Sequence, residues 1–333
     1  MERLRVGAMF RCSTDPEALR PYARRVEALG YDELWIVEDC FYAGGIAAAA
    51  TALASTERLA VGLGILPAVM RNPAAAAMEL AALARLFPGR VLPGFGHGVA
   101  AWMRQIGALP RSQLAALGET ITAVRALLAG ETVTMHGAHV DLDAVRLDHP
   151  PHSAPPVSAG VRGPRSLALS GRVADGTVLA ELSSPDYVRW AREQIERGRA
   201  RAGRRDHHRL TVYVLLGLGP AELRATRAQV AGALLAGSLQ LGPPGSAGAV
   251  ELAALAARAP NLATLAAELP DAQVEQLAVA GDPAGCARAV ERFGKAGADT
   301  VVLVPPPDPD AALGQLEQAA AQLRLPRRSG TAA

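Results

Sequence analysis

The fold is decided by three consecutive segments, LAVGLGILP (59–67), NPAAAAMELAALARLF (72–87) and RVLPGFGHG (90–98). The first and the third are apolar runs without the regular polar alternation of a strand that has one face in water. Asn72 and Pro73 predict the start of a helix between them, because a capping side chain precedes a residue suited to the first turn. A strand, a helix and a strand of this kind form the repeating unit of a parallel sheet buried on both faces.

The same alternation continues on both sides of this unit. Further apolar runs, each followed by a helical segment, are LRVGAMF (4–10), ELWIVED (33–39), PPVSAGV (155–161), DGTVLAEL (175–182), RLTVYVLLGLG (209–219) and DTVVLVPP (299–306). Eight such strands predict a parallel (β/α)8 barrel, the TIM-barrel fold. The runner-up is an open, doubly wound sheet. It is disfavoured because the first strand continues as VGAMFRCSTDP (6–16), which carries no GxGxxG pattern.

The chain is expected to form one barrel domain over residues 1–326, with two insertions. The segment around Gly137 predicts a β-hairpin, which places the first insertion at 131–146, after the fourth helix of the barrel. The second insertion, 237–275, lies between strands seven and eight and is rich in Gly and Pro before it becomes helical. Residues 327–333 are expected to form a disordered tail.

The composition indicates an ordinary soluble, globular protein. Of the 333 residues 50% are hydrophobic and 20% charged, with a formal net charge of +2, which argues against disorder and against a nucleic-acid-binding surface. No apolar run reaches the about 18 residues of a membrane span, and no signal peptide is visible. The three cysteines have no CxxC spacing, so neither a disulfide framework nor a zinc site is indicated. We therefore expect a cytoplasmic protein without a bound metal and without nucleic-acid or membrane partners.

Functional groups in such a barrel lie at the carboxyl ends of the strands. Glu38 and Asp39 follow strand two, where a carboxylate serves as an acid, a base or a hydrogen-bond acceptor, or simply caps the next helix. Gly64 and Ile65 lie in strand three, where glycine marks either a close approach to a flat group or a plain kink of the barrel. Glu181 ends strand six and faces the same mouth, unless it caps the helix that follows.

Strands four and five end in two further candidate sites. His97 lies among Gly94, Gly96 and Gly98, which are expected to clear space around it, and Trp102 follows on a short helical segment. A histidine placed there favours a functional role over a structural one. After strand five, the segment GVRGPRS (160–166) opens a helix with Gly163 and Pro164 and places Arg165 and Ser166 in its first turn. Free N–H groups, a cation and a hydroxyl together predict a phosphate-binding loop, whereas a solvated arginine is the alternative.

These motifs resemble, in their order, the bacterial luciferase-like superfamily of flavin and deazaflavin enzymes. They are EALGYDELWIVED (27–39), ASTERLAVGLGILP (54–67), RNPAAAAMELAALARLFPGRVLPGFGHG (71–98) and GVRGPRSLALSGRVADG (160–176). The resemblance is strongest to the branch of methylenetetrahydromethanopterin reductase and related coenzyme F420-dependent oxidoreductases. It implies a (β/α)8 barrel, a flavin-like ring in the barrel mouth and a homodimer.

The resemblance also implies roles for individual residues. A non-prolyl cis peptide of such enzymes matches Gly64–Ile65 and forms a bulge behind the ring. Glu38 and Asp39 match a pair that contacts ring or substrate, and some members that oxidise sugar phosphates have Asp-His there, which argues against a sugar phosphate here. The ring is expected near Gly96, His97 and Gly98. The cofactor's phosphate and side chain are expected on the loop formed by Gly160, Val161, Gly163, Pro164, Arg165 and Ser166.

The function that follows is hydride transfer between coenzyme F420 and an unidentified small organic substrate. Glu38, Asp39 or His97 is expected to handle the proton, with Trp102 and Glu181 near the substrate. One alternative is an FMN-dependent monooxygenase of the same fold, and a second is a non-catalytic flavin-binding barrel. An aldolase or isomerase barrel is less favoured, because the chain's one lysine, Lys295, lies in a helix before the last strand.

Overall fold

The computed structural model describes residues 3–236, 243 and 245–326. Its strands are β1 Arg5–Phe10, β2 Glu33–Ile36, β3 Ala60–Pro67, β4 Val91–Gly96, β5 Val133–His136, β6 Asp141–Val145, β7 Ser158–Gly160, β8 Gly176–Leu179, β9 Arg209–Leu218, β10 Ala278–Gly281 and β11 Thr300–Val304. Its helices are α1 Leu19–Ala28, α2 Gly45–Ala54, α3 Pro73–Leu86, α4 Ala100–Gln105, α5 Gln113–Leu128, α6 Pro164–Val173, α7 Pro185–Arg201, α8 Pro220–Leu235, α9 Ala247–Arg258, α10 Leu262–Glu268, α11 Asp271–Leu277, α12 Cys286–Lys295 and α13 Pro309–Gln322.

Eight parallel strands close into a ring in the order β1, β2, β3, β4, β7, β8, β9, β11 and back to β1. The pairing of β8 with β9 closes the sheet, so the predicted (β/α)8 barrel is confirmed and the open doubly wound sheet is wrong. Helix α3 starts as its sequence predicts, because the Asn72 side chain accepts from the Ala74 N–H and Pro73 occupies the first turn.

The two insertions depart from the simple repeat. β5 and β6 form an antiparallel hairpin between α5 and β7. The second insertion contains α9, α10 and α11, which pack on α8 through a core that includes Val230, Leu252, Leu265 and Val274. Residues 237–242 and 244 of the expected insertion 237–275, and the whole of the expected tail 327–333, lie outside the described residues. No helix in the described part of the chain combines the length and the apolar character needed to cross a bilayer.

One strand was not expected from the sequence. β10 is only four residues long, AVAG, and pairs in parallel with Leu215–Leu218 of β9. Its small side chains carry too little apolar character to distinguish a strand from the end of the preceding helix. β2 also ends earlier than expected, at Ile36, which leaves Glu38 and Asp39 in the loop that follows.

Large side chains and an ion pair fill the barrel interior and determine where a cavity can exist. Trp35 and Tyr213 pack edge to face with ring centroids 5.7 Å apart, and both are almost fully buried. Beneath them, toward the amino-terminal ends of the strands, Glu33 is 0% exposed, accepts from Trp35 Nε1 at 2.9 Å and pairs with Arg209. These side chains fill the interior at this end, and a cavity lies at the carboxyl ends of the strands.

Candidate active site

A cavity of about 570 Å3 opens at the carboxyl end of the barrel. Its lining comes from the ends of six strands and from Tyr213 of β9, as the barrel fold predicts. Of the residues singled out from the sequence, those on the lining are Glu38, Asp39, Gly64, Ile65, His97, Gly98, Trp102, Gly160, Val161 and Glu181. The remaining ones, Gly96, Gly163, Pro164, Arg165 and Ser166, lie next to this lining but are not part of it.

The floor of the cavity is a bulge in β3. The peptide bond between Gly64 and Ile65 is cis, as the resemblance implied. The pairing register with β4 shifts between Leu63 and Leu66, so the bulge interrupts the ladder there. Tyr213 Oη donates to the carbonyl oxygen of Gly64 at 3.3 Å, and a side chain at Gly64 would collide with this hydroxyl and with Trp35. Position 64 is therefore restricted to glycine by close packing from below.

The glycines around the floor make room for the bulge. A Cβ at Gly96 would lie 2.8 Å from Ile65 Cδ1, and a Cβ at Gly160 would collide with Ile65 Cγ2. A Cβ at Gly94 would lie 2.7 Å from the carbonyl oxygen of Leu63. The expectation that Gly94 and Gly96 clear space around His97 is therefore wrong, because that space is filled by the neighbouring strand.

Gly98 has a different reason to be glycine. Its φ of +70° lies in the left-handed region, and a Cβ there would meet Met103 Sδ at 2.9 Å. The residue turns the chain from the end of β4 into the segment before α4.

Glu38 is held in a network that uses both of its carboxylate oxygens. Arg71 Nη1 and Nη2 donate to Oε2 and Oε1, each at 2.6 Å, and the N–H of Gly45, the first residue of α2, donates to Oε1 at 2.8 Å. The residue is 5% exposed. These contacts fit the capping alternative and favour a positioning role for Glu38, while its part in proton transfer stays a prediction.

Asp39, the neighbouring carboxylate, is far less constrained. It is half-buried, and Cys12 Sγ donates to its Oδ2 at 3.4 Å. Burial raises the pKa of Asp39, the Cys12 contact lowers it in part, and the charge of Glu181 raises it further. Burial and the Asp39 charge raise the pKa of Cys12 to about 12, so this thiol stays protonated at neutral pH. Among the described residues, the second carboxylate oxygen of Asp39 therefore has no hydrogen-bond partner, and its surroundings make protonation easier than in water.

His97 bridges two helix starts instead of standing free in the mouth. Nδ1 lies 3.1 Å from the carbonyl oxygen of Gln113, at the start of α5, and Nε2 lies 3.1 Å from Ser166 Oγ, in the first turn of α6. A carbonyl only accepts, so we assign the ring proton to Nδ1 and the hydroxyl proton of Ser166 to the bond with Nε2. Burial lowers the pKa of His97, which keeps the ring neutral. His97 thus orients Ser166.

The loop before α6 forms the rim of the cavity beside Ile65. Gly160, Val161 and Arg162 contribute to the lining, and Gly163 precedes Pro164, the first residue of the helix. A Cβ at Gly163 would have open space around it. Arg165 is exposed, so in this structure its guanidinium lies at the surface. The first turn of α6 therefore presents backbone N–H groups at the rim, as expected of an anion-binding helix start.

Three functional candidates were missed from the sequence. Arg11 and Cys12 line the cavity directly after β1, and the rule that strand ends carry function would have found both. Burial lowers the pKa of Arg11, and the nearby Glu181 charge raises it in part. Tyr213 lies inside a continuous apolar run, where no local signal distinguishes it from core. The described residues hold no group of three or more metal-ligand side chains.

Comparisons with known proteins identify the family of the chain. A family model described as luciferase-like monooxygenase matches residues 4–300. The chain is 33% identical over 184 residues to 5,10-methylenetetrahydromethanopterin reductase of Methanolobus tindarius, over 55% of this chain and 56% of that one. It is 28% identical over 208 residues to an F420-dependent glucose-6-phosphate dehydrogenase of Nakamurella multipartita, over 57% and 60%. The matched region thus spans little more than half the length of these relatives.

Solved structures show the same fold along nearly the whole chain. The coenzyme F420-dependent tetrahydromethanopterin reductase from Methanopyrus kandleri superposes with a TM-score of 0.79 at 21% identity, over 97% of this chain and 99% of that one. A monooxygenase from Streptomyces bottropensis superposes with a TM-score of 0.71 at 20% identity, over 96% and 97%. Since the family match extends from residue 4 to residue 300, the chain belongs to the luciferase-like monooxygenase family.

Proposed function

We propose that the protein is an oxidoreductase that transfers hydride between coenzyme F420 and a small organic substrate. The observation that carries this proposal is the shape of the cavity, about 570 Å3 in volume, with the Gly64–Ile65 bulge as its floor and the start of α6 at its rim. A flat apolar floor next to a helix start suits a planar ring joined to a phosphate. The family and the names of the sequence relatives support the same assignment.

The residues present fit a deazaflavin cofactor. Ile65, Gly98 and Val161 offer apolar or backbone contacts to a ring, and the N–H groups of Arg165 and Ser166 would hold a phosphate. When bound, a deazaflavin supplies a carbon centre that gives or takes a hydride. The chain's part is to orient the two reactants, exclude water and manage the proton.

We assign proton transfer with the substrate to Asp39. Its raised pKa, together with a second carboxylate oxygen that has no partner among the described residues, suits a group that exchanges a proton with a substrate atom at the cavity wall. Glu38 is a positioning residue, because Arg71 and Gly45 occupy its oxygens. His97 positions Ser166 at the start of α6. Trp102 and Glu181 stay proposed substrate contacts on the lining.

An FMN-dependent monooxygenase is the second candidate, and the match to a family of luciferase-like monooxygenases favours it. The purified protein should be titrated with oxidised coenzyme F420 and, separately, with FMN, following the fluorescence of each ligand. Saturable binding of the deazaflavin with much weaker binding of FMN supports our proposal. The reverse order overturns it in favour of the monooxygenase. Binding without any reduction or oxidation by a panel of donors and acceptors would indicate the non-catalytic barrel.

We also propose that the protein is a homodimer that works in the cytoplasm. Exposed apolar side chains support self-association, in particular Met78 and Leu86 of α3, which are 62% and 70% exposed. The three free cysteines fit a reducing compartment. Sedimentation velocity tests the dimer, and Met78→Glu combined with Leu86→Glu should shift it toward the monomer. A monomeric wild-type protein at micromolar concentration would disprove this assembly.

A further inference from the structure

Three charged side chains from separate strands meet on the wall of the cavity. Arg11 follows β1, Asp39 follows β2, and Glu181 follows β8. Glu181 lies close enough to the other two for its charge to shift the pKa of both Arg11 and Asp39. Within the described residues, however, no ion pair joins any two of the three, so their charges remain available to a ligand.

Arg11 is oriented but not neutralised. Its Nε donates to the carbonyl oxygen of Pro305 at 2.7 Å, directly after β11, which fixes the plane of the guanidinium. Neither Nη atom has a hydrogen-bond or ion-pair partner in the parts of the chain that the structure describes, and the side chain lies on the cavity lining. A guanidinium stays charged at every physiological pH, so this half-buried cation offers two donors to an anion.

The two carboxylates are similarly available. Within the described part of the chain, the Asp39 carboxylate accepts from a single group, the Cys12 thiol, which is a weak donor, at 3.4 Å. Glu181 lies on the lining and has no hydrogen-bond partner among the described residues. By contrast, Glu38 on the same lining is fully paired with Arg71. Half-buried charges without a partner lower the stability of the fold unless a ligand pairs with them. The three side chains therefore indicate a ligand of complementary charge.

We propose that Arg11 binds a carboxylate of the substrate, and that Asp39 and Glu181 accept hydrogen bonds from a nitrogen or hydroxyl group beside it. This inference rests on the proposed function only in taking the ligand of this wall to be the substrate. A monoanionic carboxylate suits the site better than a phosphate, because a dianion would be repelled by both carboxylates. The planar fork of a guanidinium also matches a planar carboxylate with two parallel hydrogen bonds.

Three small probes of similar shape test the proposal, with binding followed by ligand-observed NMR. L-Proline carries both groups, L-prolinamide lacks the carboxylate, and cyclopentanecarboxylate lacks the nitrogen. L-Proline should bind wild-type protein at least roughly tenfold more tightly than either of the others, as expected for one charge-assisted contact each. Arg11→Met should remove the preference for L-proline over L-prolinamide. Glu181→Gln should reduce the preference for L-proline over cyclopentanecarboxylate and should strengthen binding of cyclopentanecarboxylate.

Matched controls separate recognition from folding. Arg104→Met removes an exposed arginine of α4 that is not on the lining, and it should leave the order of the probes unchanged. Arg11→Lys retains the positive charge but lacks the planar guanidinium. Its preference for L-proline over L-prolinamide should lie between that of wild type and that of Arg11→Met. Circular dichroism confirms that each variant is folded.

Several results would overturn the proposal. Equal binding of the three probes to wild type would do so. So would a loss of the preference for L-proline over L-prolinamide in Arg162→Met when Arg11→Met keeps that preference. A loss of deazaflavin binding in Arg11→Met would assign Arg11 to the cofactor. Failure of wild type to bind deazaflavin in the separate fluorescence titration would refute the proposed function but not carboxylate recognition, so the two failures are distinguishable.

Discussion

Charged side chains are paired at the amino-terminal end of the barrel, whereas several at the carboxyl end are not. At the amino-terminal end, Asp175 pairs with Arg125 and Arg204 at 2.6 and 2.8 Å and also accepts from the Val157 N–H. Asp32 accepts from the Val6 N–H in a similar way, at 3.0 Å. Each of these carboxylates ties strands or helices together. At the carboxyl end, Glu38 is paired with Arg71, but Arg11, Asp39 and Glu181 of the cavity wall have no ion-pair partner among the residues that the structure describes.

Charged side chains with partners stabilise the fold, whereas those without partners are available to ligands. A paired carboxylate that also accepts from a backbone N–H stabilises the start of a strand. An unpaired carboxylate on a cavity wall does not stabilise the fold in this way, and its position indicates binding or chemistry. Substitutions at the two ends should therefore change the free energy of unfolding with different sizes and even different signs.

The largest expected effect is at the amino-terminal end. Arg209→Met removes the nearer of the two cations that pair with Glu33, which is 0% exposed, and leaves only the contact with Arg5, whose Nη1 lies 3.8 Å from Glu33 Oε1. Breaking a buried pair from one side costs about 3–5 kcal/mol. Urea unfolding followed by circular dichroism should show this loss. A loss below about 1 kcal/mol would contradict the stabilising role of the paired charges at the amino-terminal end, since the buried pair would then contribute no more than a surface pair.

The next effect concerns the floor between the two ends. Gly64→Ala should lower the free energy of unfolding by about 1–3 kcal/mol, because the new Cβ overlaps Tyr213 Oη and Trp35. The loss should be smaller when the same substitution is made in a Tyr213→Phe background, where the hydroxyl is gone. Gly314→Ala is the matched control, since nothing lies within 4 Å of its Cβ in α13 and it should stabilise by about 0.5–1 kcal/mol. Identical losses in both backgrounds would show that the hydroxyl does not enforce the glycine.

A smaller effect is expected at His97. His97→Phe removes the bonds to Gln113 and Ser166 and should cost about 1 kcal/mol at pH 7.5. The pKa of His97 is lowered in the folded state, so its contribution is fully present above the unfolded value of 6.5 and is lost as pH falls. The difference between variant and wild type should therefore shrink at pH 5.5. A difference that grows at low pH would indicate a charged imidazole instead.

The smallest effect has the opposite sign. Burial raises the pKa of Asp39, so its ionised form is less stable in the folded protein than in the unfolded chain. Asp39→Asn should therefore raise the free energy of unfolding at neutral pH. This gain should disappear as pH falls through the folded pKa toward the ordinary value of 3.8, where wild type is protonated too.

Urea unfolding at several pH values measures the Asp39 effect. A loss of stability in Asp39→Asn at neutral pH would contradict the distinction between the two ends. Glu38→Gln is the comparison variant in the same loop. It should lower the free energy of unfolding, because it weakens the pair with Arg71.

The barrel could be predicted because its strands are long apolar runs with clear helix starts between them, such as Asn72 and Pro73. The separate roles of Glu38 and Asp39 could not. What distinguishes the two is Arg71, which is 33 residues away in sequence and near only in the fold. Adjacent residues with the same side-chain chemistry look equivalent until their distant partners are known.

The glycines of β4 show a second limit. From the sequence, Gly94 and Gly96 predict a need for space, and the nearest functional side chain in sequence is His97. Their actual neighbour is Ile65 and the backbone next to it, on the adjacent strand. A sequence pattern reveals that space is needed, whereas the group that fills the space follows from strand register.

The nesting of Ile65 among glycines of two other strands has a consequence for redesign. Gly96 and Gly160 both pack against the side chain of Ile65, so enlarging any one of the three residues requires a smaller side chain at another. Arg11, Asp39 and Glu181 come from three independent loops and can be exchanged one at a time. A change of substrate specificity can therefore proceed through single substitutions on the wall, whereas almost no single substitution fits on the floor. The residues of the floor should therefore change much more slowly than the residues of the wall.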